Sequence, residues 1–184
     1  HGGHRHKEGP PRGGRGANLK ERAAKLVATF FYTGYFPYGP GTAGTAAAIP
    51  LYYLFSFTPP YIYVILTIGV IALSVWAAGV VEKSAGRTDP GFIVADEVSG
   101  YLVTMAFAPV SVTSVVLGFF LFRLFDITKP PPARRFERLH GGLGIVMDDV
   151  AAGVYANAVL QVVEVFVVGG LRGVGGSLFK SPSF

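Results

Sequence analysis

Residues 62–81 read IYVILTIGVIALSVWAAGVV, a run of twenty residues without a charged side chain. An α-helix of that length rises about 30 Å, which matches the hydrocarbon thickness of a bilayer. Of the 184 residues in the chain, 51% are hydrophobic and 15% are charged, whereas soluble domains carry about 25% charged residues. The run therefore predicts a membrane-spanning helix, and the composition predicts an integral membrane protein.

Four further apolar stretches lie on either side of this run. They cover residues 42–57, 98–108, 111–125 and 150–168. Pro50 lies inside the first stretch, which indicates a tilted or kinked helix, and Pro109 divides two others as in a tight helical hairpin. The predicted fold class is all-α, a polytopic membrane helical bundle with about five membrane-embedded helices.

The two ends of the chain differ from this apolar centre. Residues 1–25 are rich in Gly, Pro, His and Arg and contribute most of the net charge of +5. They are predicted to form a disordered basic arm that contacts anionic headgroups. Residues 169–184 are rich in Gly and Ser and are predicted to form a flexible tail. The membrane-embedded domain is therefore placed at residues 26–168.

Five spans in order assign each polar loop to one side of the membrane. The arm and the loops 82–97 and 123–149 share a side that carries fourteen of the sixteen Lys and Arg residues. Positive charge favours the cytoplasmic side, so the N-terminus is predicted inside and the C-terminus outside. All acidic residues except Glu164 fall on that cytoplasmic side, although no orientation rule requires it. These loops are predicted to build a site, and Glu164 is assigned no role.

Adjacent carboxylates occur at two predicted helix starts, as Asp96–Glu97 and Asp148–Asp149. A single acid there serves as an N-cap and compensates the helix dipole. Two adjacent acids repel each other near a low-dielectric medium unless a cation lies between them, and oxygen-only ligation suits Mg²⁺. Cysteine is absent, which excludes thiolate zinc sites and a Cys nucleophile. The four acids are predicted to bind metal.

Asp126 lies at the end of an apolar helix, where the helix dipole disfavours a negative charge. Arg123 and Lys129 flank it and provide two alternatives. Either they pair with Asp126, or Asp126 binds metal while both cations hold phosphate oxygens, Arg123 by its bidentate fork.

Two glycine-rich loops complete the polar motifs. The loop at residues 39–45, Gly-Pro-Gly-Thr-Ala-Gly-Thr, offers backbone N–H groups and the hydroxyls of Thr42 and Thr45 to a phosphate, although a glycine turn before a packed helix looks the same. His140 begins His-Gly-Gly-Leu-Gly, which is either a flexible turn or the place of a proton shuttle. Asp89 and Glu137 are weaker candidates.

The motifs agree with one known family. They are Pro-Gly-Thr-x-Gly at 40–44, Asp-Pro with Asp-Glu-x-x-Gly at 89–100, Phe-Arg-x-Phe-Asp-Ile-x-Lys-Pro-x-Pro at 122–132, and Gly-Gly-x-Gly-Ile with Asp-Asp-x-x-Ala-Gly at 141–153. Together they resemble the bacterial phosphatidylglycerophosphatase A family over residues 35–161. The chain departs at Thr45, where Ser is expected, and at residues 145–147, where a different order of apolar residues is expected. Neither departure removes an acid.

The resemblance implies a Mg²⁺-dependent phosphatase that converts phosphatidylglycerophosphate to phosphatidylglycerol. Such an enzyme is expected to be a multi-pass protein of the bacterial inner membrane, with its active site on the cytoplasmic side, membrane lipids as partners and no nucleic acid. The expected metal ligands are Asp96, Glu97, Asp126, Asp148 and Asp149. The expected catalytic residues are Asp126, Asp148, Asp149 and His140. The expected phosphate-binding residues are Arg123, Lys129, Thr42 and Thr45. The sequence leaves an oligomer open, because Gly69 and Gly79 permit close helix packing within or between chains.

Two other functions remain as alternatives. A CDP-alcohol phosphotransferase also binds metal with aspartates at membrane helix ends, but its long Asp-Gly-x-x-Ala-Arg signature is missing. A cation transporter or channel would line its path with carboxylates, whereas here only Glu164 lies within a predicted span. A histidine-nucleophile phosphatase needs two core histidines, and only His140 lies outside the arm. Water is therefore the expected nucleophile.

Overall fold

The computed structural model describes residues 18–131, 133–136 and 139–178, with side chains described as far as residue 166. Regular structure in these ranges is helical throughout, and no strand occurs in them. The prediction of an all-α fold is confirmed. The helices are α1 Leu19–Ala28, α2 Pro40–Ser56, α3 Pro60–Ala85, α4 Ala95–Thr104, α5 Val112–Thr128, α6 Ala133–Phe136 and α7 Gly142–Leu178.

Within the described residues, two helices are long and apolar enough to cross a membrane, judged by length and composition. They are α3, with 26 residues, and the first 25 residues of α7, Gly142–Phe166. Pro60 opens α3, because a proline at the first position loses no helical hydrogen bond. Gly86 ends the helix in the left-handed conformation, with φ of 65°.

The other predicted spans are also helices, but they are shorter. Helices α2 and α5 have 17 residues each, and α4 has 10. Ten residues rise only about 15 Å, so α4 cannot cross the hydrocarbon layer as the predicted span at 98–108 would. Nearly all of α4 is buried inside the protein. Helices α4 and α5 lie on either side of Pro109. The predicted site residues lie at the start of α4, with Asp96 and Glu97, and at the end of α5, with Asp126.

The ends of the domain require two corrections. Helix α1 includes residues 19–25, which the composition predicts to belong to the disordered arm. Asn18 caps this helix by accepting a hydrogen bond from the Glu21 backbone (2.9 Å), and Ala24 and Ala28 are buried. Residues 1–17 lie outside the described residues. Helix α7 continues to Leu178, so the backbone is helical for ten residues beyond the predicted end of the last span at Val168.

Close packing of α4 against α7 positions the polar residues. A Cβ atom on Gly153 would overlap the Gly100 carbonyl oxygen, and one on Gly100 would lie 2.6 Å from the Asp149 carbonyl oxygen. Both glycines therefore let the two helix backbones touch. The Asn157 amide donates hydrogen bonds to the carbonyls of Thr104 and Ala106, both at 2.8 Å, and so caps the end of α4. The close approach of Gly100 to the Asp149 backbone holds Asp149 beside the first turn of α4.

Candidate active site

Three carboxylates converge where the first turn of α4 meets α7. Oxygens of Asp96, Glu97 and Asp149 lie within 4.8 Å of one another. Asp96 and Asp149 are only 8% and 4% exposed. Three ionised carboxylates at this separation, held out of water, repel one another strongly unless a cation is present.

The environment of these acids fits a hard cation. Burial raises the pKa of Asp96 well above its usual range, and the neighbouring Glu97 adds to the effect. Burial also raises the pKa of Glu97. Its Oε2 atom is buried and has no hydrogen-bond partner among the described residues. A buried, unpartnered carboxylate oxygen beside two further acids matches the oxygen ligands that Mg²⁺ takes.

The end of α5 brings one more acid and a cation to this centre. Arg123 Nη1 and Asp126 Oδ2 are 2.6 Å apart, one helical turn from each other. The Asp126 carboxylate adjoins that of Asp149, and the Arg123 charge acts on Glu97. Of the pairing that the sequence left as one of two alternatives, the structure thus contains the part made by Arg123, whereas Lys129 pairs with Asp148. It also places the pair against the three-acid cluster, so Arg123 is available near any anion bound there.

Asp148 is not one of the three clustered acids. Its Oδ2 atom lies 2.5 Å from Lys129 Nζ, and its side chain is buried. The predicted position of Asp148–Asp149 at a helix start is wrong, because α7 begins at Gly142, more than a turn earlier. Capping therefore does not explain either acid. In the structure, Asp149 lies with the acids of α4, and Asp148 forms an ion pair with Lys129.

The glycine-rich segment predicted as a loop at residues 39–45 forms the first turns of α2 after its N-cap Gly39, and it touches the centre through its backbone. A Cβ atom on Gly41 would overlap Glu97 Oε1 and would lie 2.9 Å from Arg123 Nη1. Thr45 is buried and donates its hydroxyl proton to the Gly41 carbonyl at 2.9 Å, and Thr42 is exposed. The sequence pointed to the backbone N–H groups and hydroxyls of this segment and missed the role of Gly41. The position of Gly41 between Pro40 and Thr42 of the Pro-Gly-Thr-x-Gly motif was the signal that could have indicated this close approach.

The remaining candidates lie around this centre. His140 is exposed in the segment before α7. Asp89 is exposed with a left-handed backbone, φ of 45°, and its charge contributes to the raised pKa of Asp96. Glu137 lies outside the described residues. Glu164 is buried about 22 Å further along α7 than Asp149 and accepts a hydrogen bond from Ser114 at 2.5 Å.

The sequence was compared with protein families and with known proteins. The family model for PgpA, Phosphatidylglycerophosphatase A, matches residues 26–164. The chain is 39% identical over 137 residues to phosphatidylglycerophosphatase A of Escherichia coli (strain K12), covering 73% of this chain and 80% of the relative. It is 35% identical over 146 residues to phosphatidylglycerophosphatase A of Haemophilus influenzae, covering 78% and 90%.

A third relative carries a different name. It is a Bacteroides thetaiotaomicron protein named, provisionally, as a phosphatidylinositol-3-phosphatase, 34% identical over 152 residues that cover 78% of this chain and 94% of the relative. No solved structure matches the chain. The helical fold, its acid-rich centre and these relatives define an enzyme of the phosphoric monoester hydrolase class. The chain belongs to the phosphatidylglycerophosphatase A family.

Proposed function

We propose that this enzyme is a Mg²⁺-dependent lipid phosphatase that hydrolyses the terminal phosphomonoester of phosphatidylglycerophosphate. The products are phosphatidylglycerol and inorganic phosphate. The observation that carries the proposal is the buried cluster of Asp96, Glu97 and Asp149, with the unpartnered Glu97 oxygen and the Arg123 guanidinium beside it. The names of two relatives supply the substrate.

The metal ligands proposed are the three clustered acids, with Asp126 adjoining them. When bound, Mg²⁺ supplies positive charge that offsets the negative charge of the phosphate and of the transition state. Arg123 holds phosphate oxygens through its fork, and Lys129 does so as a point charge kept in place by Asp148. In this assignment Asp148 is a positioning residue, whereas the sequence placed it among the metal ligands.

The reaction proposed is direct attack by water in line with the leaving alcohol. A bond forms between the water oxygen and phosphorus, and the bond from phosphorus to the ester oxygen breaks. Asp126 accepts the proton of the water, because it adjoins the cluster without being one of its three members. The alcohol leaves with a proton, for which the exposed His140 is the proposed carrier. Thr42 and Thr45 remain candidates for contacts with phosphate.

The proposed topology follows from the order of the helices. Helices α2, α3 and α7 each cross the membrane, and α4 with α5 enters and returns, so five helices are embedded. Because the hairpin of α4 and α5 enters and leaves the membrane on the same side, it does not change the side on which α7 begins. The N-terminal side of α2 and the start of α7 then share the cytoplasmic face of a bacterial inner membrane, where the basic residues lie.

The headgroup alcohol defines a second candidate function. The relative from Bacteroides thetaiotaomicron is named for an inositol lipid phosphorylated at the 3-position. Inositol and glycerol headgroups are both polyols that carry the phosphomonoester to be removed, so the same metal chemistry applies to both. A phosphatidylinositol-3-phosphatase is therefore the alternative for this chain.

The test measures phosphate release by purified protein in detergent from phosphatidylglycerophosphate and from phosphatidylinositol 3-phosphate. Each reaction is run with Mg²⁺ and with EDTA, and for Asp126→Asn and Asp149→Asn at equal folded content. Release from phosphatidylglycerophosphate that requires Mg²⁺ and is lost in both variants supports the proposal. Faster release from the inositol lipid favours the alternative, and no release from either lipid by folded protein overturns both.

A further inference from the structure

A polar cavity lies beside the carboxylate cluster; the chemistry proposed above uses Lys129 and Asp148 of its wall but assigns no ligand to the cavity itself. Its volume is about 180 Å³, and one water needs only about 10–15 Å³ of such volume. The cavity therefore has room for several ligand atoms. The residues that matter here are Glu82, Thr88, Asp89, Lys129, Gly141 and Asp148.

Three lining residues, Asp148, Asp89 and Lys129, place this cavity next to the proposed phosphate position. Asp148 lines the cavity and directly precedes Asp149 of the cluster on α7. Asp89 lines it as well, and its charge reaches Asp96. Lys129 lies on the cavity wall and pairs with Asp148. A phosphate held at the cluster and Lys129 would direct the next atoms of its ester into this space.

The lining favours hydroxyl groups over further phosphate. Three carboxylates, from Glu82, Asp89 and Asp148, face one ammonium group, so an anion inside the cavity would be repelled, and the phosphodiester that joins the headgroup to the lipid must lie outside it. A carboxylate oxygen accepts a hydrogen bond from an alcohol at about twice the strength of a neutral acceptor. Asp148 is already paired with Lys129 and Glu82 is only partly exposed, whereas the Asp89 side chain is exposed on a left-handed backbone. Asp89 is therefore the acid best placed to receive a ligand hydroxyl.

We propose that this cavity binds the headgroup alcohol of the lipid substrate and that Asp89 accepts a hydrogen bond from its free hydroxyl. Asp89 is then a specificity-determining residue for lipids whose phosphate is carried on a polyol. This inference rests on the proposed function, because the position of the phosphomonoester sets which atoms enter the cavity.

The test compares two substrates that differ by one oxygen. One is phosphatidylglycerophosphate, and the other is its analogue with propane-1,3-diol in place of glycerol, which lacks the free hydroxyl. Wild-type protein is expected to show kcat/KM about tenfold to a hundredfold higher for the glycerol lipid, the range for a hydrogen bond to a charged group. Asp89→Gly and Asp89→Asn both tolerate the left-handed backbone. Asp89→Gly is expected to treat both substrates alike, and Asp89→Asn to retain part of the preference.

Three results separate the possible failures. Equal rates of wild-type protein on both lipids, or a preference that survives in Asp89→Gly, would overturn the role of Asp89. Hydrolysis of neither lipid would instead overturn the proposed function. The control is Glu21→Gln, which removes a charge from α1 outside the cavity and is expected to leave the preference intact.

Discussion

Asp148 and Asp149 are neighbours in the sequence, but their side chains have different partners. Successive residues of an α-helix point about 100° apart, so the two carboxylates leave α7 on different faces. Asp149 joins Asp96 and Glu97 within 4.8 Å, and Asp148 pairs with Lys129 at 2.5 Å. One helix thus contributes both to the carboxylate cluster and to the orientation of a cation beside it.

This division predicts unequal effects of the two Asp-to-Asn changes. Asp149→Asn is expected to lower kcat by about a hundredfold or more and to raise the Mg²⁺ concentration for half-maximal rate, because it removes a clustered carboxylate. Asp148→Asn is expected to raise KM with an unchanged Mg²⁺ requirement, because the ion pair between Lys129 and Asp148 is weakened. Steady-state kinetics over a range of Mg²⁺ concentrations would distinguish them. An equal shift in Mg²⁺ requirement for both variants would restore Asp148 to the metal ligands.

The sequence predicted most of the helices and most of the acids that cluster, because both depend on local patterns. Long uncharged runs indicate helices whatever their neighbours, and α2, α3 and α5 begin and end close to the predicted positions. Paired carboxylates beside apolar stretches indicated a cation site, and three of those four acids do meet.

The errors arise where tertiary contacts decide the structure. Residues 141–144 look like a turn, but Gly142 packs against the backbone of α3 at Val75, and α7 therefore begins there. Because α7 starts early, Asp148 and Asp149 lie inside a helix and face different ways. The contact of Gly100 with Gly153 joins residues 53 positions apart, which no local pattern can show.

Gly41 is predicted to be a positioning residue for the active site. A methyl group there would overlap Glu97 Oε1 and press on Arg123 Nη1, so Gly41→Ala must displace a proposed ligand or the proposed phosphate clamp. We expect kcat/KM to fall about tenfold or more, since small misplacements of catalytic groups cost about a hundredfold, with a higher Mg²⁺ requirement. The matched control is Gly69→Ala in α3, where an added Cβ meets nothing within 4 Å. Unchanged Mg²⁺ dependence and rate in Gly41→Ala would refute this role.

The buried acids are predicted to make stability depend on pH in the absence of metal. Because burial raises the pKa of Asp96 and Glu97, the folded state keeps their protons at a pH where the unfolded chain has released them. Stability therefore falls as pH rises between the unfolded and folded pKa values. Thermal unfolding in EDTA is expected to occur at lower temperature as pH rises from mildly acidic to mildly alkaline.

Metal and a neutral side chain should each weaken this dependence. Mg²⁺ at a hundred times its dissociation constant would add about 2.7 kcal/mol to the free energy of unfolding, and it favours the ionised acids. Asp96→Asn is expected to flatten the pH dependence in EDTA, to lose the stabilisation by Mg²⁺ and to be inactive. Stabilisation of Asp96→Asn by Mg²⁺ as large as that of the wild type would exclude Asp96 as a ligand.

The buried contact between α5 and α7 is predicted to stabilise the fold without taking part in catalysis. Ser114 Oγ donates a hydrogen bond to Glu164 Oε1 at 2.5 Å, about 22 Å along α7 from Asp149. Hydrogen bonds between membrane helices contribute about 0.6 kcal/mol on average and up to about 1.7, so Ser114→Ala should lower the free energy of unfolding by about that amount. Glu164→Gln, which keeps an acceptor oxygen, should have a smaller effect than Glu164→Leu.

Thr113→Ala, at an exposed neighbouring position of α5, is the control. Activity per folded molecule should stay within about twofold of wild type in all four variants. The reason is that several helical turns of α5 and α7 lie between this pair and the carboxylate cluster, and distant sites act independently. A changed Mg²⁺ requirement in Ser114→Ala, measured beside its unfolding in detergent, would show instead that the pair is coupled to the active site.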